Sequence, residues 1–88
     1  MAKKVIIYGK VQGVGFRNFI YRNALRYNIK GYVKNNPDGT VEAVFEGNQM
    51  DIYNIIELCK RGPERARVDK IDEIEIKDQK YKDFKIIY

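Results

Sequence analysis

The chain has 88 residues, a net charge of +5, one Cys and no His, which suits one domain over residues 1–88, with a pI near 9.4 that favours anionic partners of any kind. Without His there is no phosphohistidine intermediate, imidazole base or imidazole-ligated metal, and a single Cys rules out an internal disulfide, in keeping with a reducing compartment. No apolar run approaches a membrane span, and Met1-Ala2-Lys3-Lys4 leads into strand rather than a secretory segment, so a cytoplasmic protein with no membrane partner is expected.

In chain order the periodicity reads β-α-β-β-α-β. Val5-Ile6-Ile7-Tyr8 is a fully or largely buried strand, and Phe16, Phe19, Ile20, Ala24 and Tyr27 recur at helical spacing. Gly31 to Asn35 is a second strand, turned by Asn36-Pro37-Asp38-Gly39 into Val41 to Glu46. Pro presets the first torsion of such a turn and Gly accepts a left-handed one. Asn48 can cap a second helix with Ile52, Ile55, Ile56 and Cys59 on its apolar face, and Gly62-Pro63 ends it. Val68 to Ile76 alternates with charges around an irregularity near Lys70, and Phe84, Ile86 and Tyr88 form a short last strand. The predicted fold is α+β, a split β-α-β sandwich with a mostly antiparallel sheet and both helices on one face.

Between the first strand and the first helix lies Gly9-Lys10-Val11-Gln12-Gly13-Val14-Gly15-Phe16-Arg17. Three glycines free the backbone to turn successive N–H groups into one concavity, the helix start adds further donors, and Arg17 offers a planar charged fork for phosphate oxygens. The alternative is a glycine-rich turn whose Arg is merely solvated. If the first helix is a right-handed crossover, the first two strands run parallel, and Asn35 reaches the same rim of the sheet as this loop. Asn35 then either faces the loop or bonds the turn that follows it.

Together, Gly9 to Arg17 and Gly31 to Ala43 resemble both signature segments of the acylphosphatases, and the ending Phe84-Lys85-Ile86-Ile87-Tyr88 is similar to that family's as well. Gly15 occupies a variable position of the loop and Tyr32 stands where Trp is common. The resemblance implies a ferredoxin-like fold and cofactor-free hydrolysis of small acyl phosphates to a carboxylate and inorganic phosphate. It makes Arg17 the phosphate-binding catalytic arginine and Asn35 the residue that orients the attacking water.

The physical chemistry agrees with that assignment. A carboxylate leaves without protonation, so catalysis reduces to binding a dianion and placing a water. Backbone N–H groups of Gln12, Gly13, Val14, Gly15, Phe16 and Arg17, with the Arg17 guanidinium, can hold the phosphoryl group. No side chain offers a general base, and elimination leaves a phosphoryl oxygen of the substrate as proton acceptor. A monomer that binds inorganic phosphate or sulfate competitively is expected.

Two other readings compete. Cys59-Lys60-Arg61-Gly62-Pro63-Glu64-Arg65 has the C-x-x-G-x-x-R spacing of cysteine phosphatases. Here, however, the Cys closes a helix's apolar face, Pro63 removes a loop donor and Glu64 adds a repelling charge, so a buried apolar cysteine is expected. A non-catalytic acylphosphatase-like domain or a nucleic-acid-binding sheet is the second alternative. The only aromatic of the third strand, Phe45, belongs with Val41 and Ala43 on the core face, and Glu42 and Glu46 on the other repel phosphate, which disfavours nucleic acid.

Overall fold

Burial alternates along the middle of the first strand although its residues are apolar in a row. Val5 and Ile7 are fully buried, whereas Lys4, Ile6 and Tyr8 are only half-buried. The computed structural model, which describes residues 1–88, runs β1 (Ala2–Lys10), α1 (Phe16–Arg26), β2 (Lys30–Asn35), β3 (Val41–Glu46), α2 (Gln49–Arg61), β4 (Arg67–Ile76) and β5 (Phe84–Ile87). The strands form one sheet in the order β4-β1-β3-β2-β5, antiparallel except where β5 runs parallel to β2. This is the ferredoxin-like α+β arrangement with its short C-terminal strand. Of the strand expected to be fully or largely buried, Val5 and Ile7 lie under the helices, which cover one face of the sheet as expected, and Ile6 and Tyr8 are half-buried on the other.

On that side Val5, Ile7, Val33, Val41, Ala43 and Phe45 meet Phe16, Ile20 and Ala24 of α1 and Ile52, Ile55, Ile56 and Cys59 of α2 in one core. Each large apolar side chain buried this way contributes about 1.5 to 3 kcal/mol. Helix α1 ends one residue before Tyr27, which packs against the core as the cap rather than as a helical residue. Asn28 takes a left-handed conformation, and the N–H groups of Asn28 and Ile29 bond back to the Leu25 and Ala24 carbonyls, closing the helix. Helix α2 starts at Asn48, whose Oδ1 accepts from the Asp51 N–H at 2.8 Å.

The irregularity expected near Lys70 is a bulge. Tyr8 pairs with Lys70 but Gly9 pairs with Val68, which leaves Asp69 as the extra residue on β4. Gly9 has φ 133°, and a Cβ there would lie 2.1 Å from the Arg67 carbonyl oxygen. Its glycine therefore serves the β1–β4 pairing, not the loop that follows.

The other sheet face carries a polar network centred on Glu42, which is only 8% exposed. Its carboxylate accepts from the Tyr32 hydroxyl and, at 3.4 Å, from Asn36 Nδ2, with Lys4 Nζ 3.9 Å away. Burial opposes the charge on Glu42, but the Tyr32 hydroxyl, Lys4, Asn36 and Lys34 outweigh it and hold the carboxyl below the usual range. Burial, and then the bond to Glu42, push the Tyr32 phenol up.

Two stability measurements check these assignments. Gly9→Ala should lower the unfolding free energy by about 2 to 4 kcal/mol in urea titrations, because backbone must move to admit the methyl. A loss below about 0.5 kcal/mol would show that the bulge accommodates a side chain. A carboxyl whose folded pKa is depressed contributes stability that is present above its unfolded pKa and lost as pH falls through the folded value. Glu42→Gln should therefore lose less melting temperature than wild type on acidification from about pH 6 to pH 2, and parallel curves would remove Glu42 from the acid response.

Candidate active site

Because β1 and β2 both pair antiparallel with β3, they run parallel to each other with their carboxyl ends at one rim. Strand β5, parallel to β2, ends at the same rim. Three segments distant in sequence converge there: the loop after β1, Asn35 at the end of β2, and Ile86 with Tyr88 at the end of β5. They line one cavity of about 120 Å³ together with Val11, Gly13, Gly15, Phe16, Arg17 and Asn18. That volume equals about four waters' share of liquid, enough for a tetrahedral oxyanion.

The loop owes its shape to two left-handed residues, Gly13 at φ 73° and Gly15 at φ 82°. Nothing lies within 4 Å of where their Cβ atoms would be, so torsion rather than space selects glycine at both. Gly15 is also the N-cap of α1 and supplies no side-chain acceptor. Helix α1 makes its first backward bond from the Phe19 N–H to the Gly15 carbonyl at 3.0 Å, and no N–H from Gln12 to Asn18 donates to a backbone acceptor. Donors so arranged, at the positive end of a helix dipole, favour an anion.

Arg17 stands in the first turn of α1 and has no carboxylate partner within 4 Å. Its guanidinium carbon lies 5.1 Å from the centroid of the Tyr88 ring. A cation over an aromatic face is held there without spending its hydrogen-bond donors on the contact. Asn35 pairs with Val41 in the ladder and takes the helix-facing side of β2 together with Val33. Its side chain bonds nothing else in the chain. The turn that follows is braced by other residues: Asn36 Nδ2 donates to Thr40 Oγ1 at 3.1 Å, and Asp38 Oδ1 accepts from the Thr40 hydroxyl at 2.6 Å and its N–H at 3.0 Å. The Thr40 hydroxyl, and then its N–H, hold the Asp38 carboxyl below its ordinary range.

Of the residues singled out in the sequence, Gly13, Gly15, Phe16, Arg17 and Asn35 line the cavity. Gln12 and Val14 do not. The Gln12 side chain turns toward the hairpin, where Nε2 donates to the Asn36 carbonyl at 2.7 Å and the Thr40 carbonyl at 2.9 Å, and Val14 packs into the core. Val11, Asn18, Ile86 and Tyr88 are added by the structure. The last two are expected in the last strand, but β5 ends at Ile87 and Tyr88 follows it, and their place at this rim comes only from the parallel pairing of β5 with β2.

Cys59 is fully buried in the apolar core, and burial alone pushes its thiol far up, away from a nucleophilic thiolate. The aromatics of the uncovered sheet face are engaged within the chain. Lys70 lies 4.6 Å from the centroid of Tyr8, whose hydroxyl donates to Asp72 at 2.9 Å, and Tyr81 packs edge-on against Tyr32. Glu42 on that face is largely covered rather than presented to solvent.

The acylphosphatase family model matches residues 3–86. The chain is 43% identical over 91 residues to the acylphosphatase of Syntrophus aciditrophicus, spanning 100% of this chain and 95% of that protein. The crystal structure of acylphosphatase from Bacillus subtilis superposes with a TM-score of 0.95 at 33% identity, covering 99% of this chain and 98% of the other. Full-length HypF, solved in a phosphate- and nucleotide-bound form, contains a similar unit with a TM-score of 0.93 at 41% identity, covering 99% of this chain but 12% of HypF. With its loop, its arginine and its asparagine gathered at one rim of this fold, the chain belongs to the acylphosphatase family, hydrolases acting on acyl phosphates.

Proposed function

We propose that the chain hydrolyses small acyl phosphates by a metal-free mechanism in which the loop amides and Arg17 bind the phosphoryl group and Asn35 orients the water. The observation that carries this reading is the convergence, in one cavity, of unpaired N–H groups, an arginine without a carboxylate partner and an asparagine without an internal bond. Amides of Gly13, Gly15, Phe16, Arg17 and Asn18 and the Arg17 fork hold the equatorial oxygens, where negative charge spreads in the transition state. The Asn35 amide accepts from or donates to the water and holds it in line with the departing carboxylate. A substrate phosphoryl oxygen takes the water's proton, and the carboxylate leaves unprotonated. All of these groups come from one chain, so a monomer has a complete site. The likeness to part of HypF shows that such a unit also occurs within a longer protein, and the second reading is a module that binds the anion without turnover.

Phosphate release from a small acyl phosphate, with and without chelator, separates the two readings. Chelator-insensitive turnover is expected, and anion binding without turnover would favour the module. In a folded Arg17→Ala protein the rate should fall by about 100 to 1,000-fold or more, and Arg17→Lys should recover little of it, because an ammonium cannot reproduce the two-oxygen fork. Inorganic phosphate should compete with substrate and raise the melting temperature of the wild type but not of Arg17→Ala. Activity above about a tenth of wild type in Arg17→Ala would take this residue out of the mechanism.

Asn35→Ala should lower kcat by about 100-fold or more while phosphate inhibition stays near that of wild type, since the amide acts on the nucleophile and not on the bound anion. A near-normal kcat with a lowered melting temperature would instead assign Asn35 to hairpin support.

A further inference from the structure

Strands β1 and β2 are not neighbours, since β3 lies between them. Ladders through β3 fix the spacing of the two strands as far as Ile7 and Asn35, both opposite Val41, but none ties the loop beyond β1 to the hairpin beyond β2. One side chain does. Gln12 Nε2 uses both of its N–H groups to reach across 24 and 28 positions of sequence, to the carbonyls of Asn36 at 2.7 Å and Thr40 at 2.9 Å. Those carbonyls form the two sides of the hairpin's neck: Thr40 O also accepts from the Asn36 N–H at 2.9 Å, and Asn36 O from the Gly39 N–H at 3.1 Å. No other loop side chain is bonded to the hairpin.

The latch sits one peptide from each of the groups whose spacing matters. Gln12 immediately precedes Gly13, where the loop first turns left-handed, and Asn36 immediately follows Asn35. The hairpin holds its own shape through Asp38, Thr40 and Asn36 without help from Gln12. What Gln12 adds is the position of that hairpin relative to the phosphate loop.

We infer that the side chain of Gln12 is a positioning residue for hydrolysis: by clamping the phosphate loop to the β2–β3 hairpin it sets the distance from the bound phosphorus to the water held by Asn35. In-line attack needs the reacting atoms about 3 to 3.5 Å apart, and a misplacement of about 1 Å can cost about 100-fold in rate. The clamp is therefore felt in kcat. Ground-state binding of phosphate uses loop amides and Arg17 and does not register it. This inference rests on the catalytic reading above and extends it to a side chain outside the cavity.

The test is a double-mutant cycle on phosphate release from an acyl phosphate, with wild type measured alongside. Gln12→Met removes both donors at similar length, and should lower kcat by about 10 to 100-fold while the competitive inhibition constant of inorganic phosphate changes by less than about threefold. In the Asn35→Ala background the same substitution should cost less than about threefold, because the water it helped to place is no longer held. Should Gln12→Met fold poorly, Gln12→Lys carries the test, since an ammonium can donate to both carbonyls, and kcat within about fivefold of wild type is expected. An unchanged kcat in Gln12→Met, a full loss that persists beside Asn35→Ala, or a fall in phosphate affinity in step with kcat would each overturn the inference, as would a Gln12→Lys protein as slow as Asn35→Ala. An inactive wild type would instead overturn the catalytic reading, and the positioning role with it.

Discussion

The pairing of β3 with both β1 and β2 is the constraint on which the rest depends. Val41 to Phe45 is buried at five consecutive positions, with Val41, Ala43 and Phe45 against the helices and Glu42 and Val44 on the opposite face. A strand so enclosed has to be satisfied along both edges, and two antiparallel neighbours do that. Their common direction follows at once, and so does the gathering of their carboxyl ends. A loop at residues 11–15 and an asparagine at residue 35 become neighbours because each is the next thing after a strand that β3 has oriented.

The two helices begin in opposite ways, and the difference separates structural from functional chemistry. Asn48 satisfies the start of α2 from within the chain, and Asp51 in its first turn suits the positive end of the dipole. The start of α1 has a left-handed glycine for a cap and no acid in its first turn. That end is left electropositive, which weakens the isolated helix but suits it to an anion. Stability is recovered at the other end, where Asn28 and Ile29 close the last turn, and beneath the loop, where Val11, Val14 and Phe16 anchor it to the core.

Elements with local chemistry are legible in the sequence itself. The Asn36-Pro37-Asp38-Gly39 turn, the Asn48 cap, the Gly62-Pro63 stop and the break near Lys70 all declare themselves within a few residues. Arg17 and Asn35 can be placed at one rim because topology rules bring the first two strands parallel. What a linear reading misses is whatever depends on a distant partner. The role of Gly9 is set by the Arg67 carbonyl across the ladder, that of Gln12 by two carbonyls on the hairpin, and that of Tyr88 by the pairing of β5 with β2.

The long reach of the β1–β4 ladder, in which Ala2 pairs with Ile76, also bears on the order of events during synthesis. Sheets dominated by such non-local pairings fold slowly, since loop closure must precede the contacts that reward it. On the ribosome β1, α1, β2, β3 and α2 all emerge before β4 can dock. Until it does, the edge of β1 that bears Gly9 stands unpaired, immediately upstream of the loop at residues 11–15. A nascent chain of this fold therefore exposes an open strand edge at the threshold of its candidate active site.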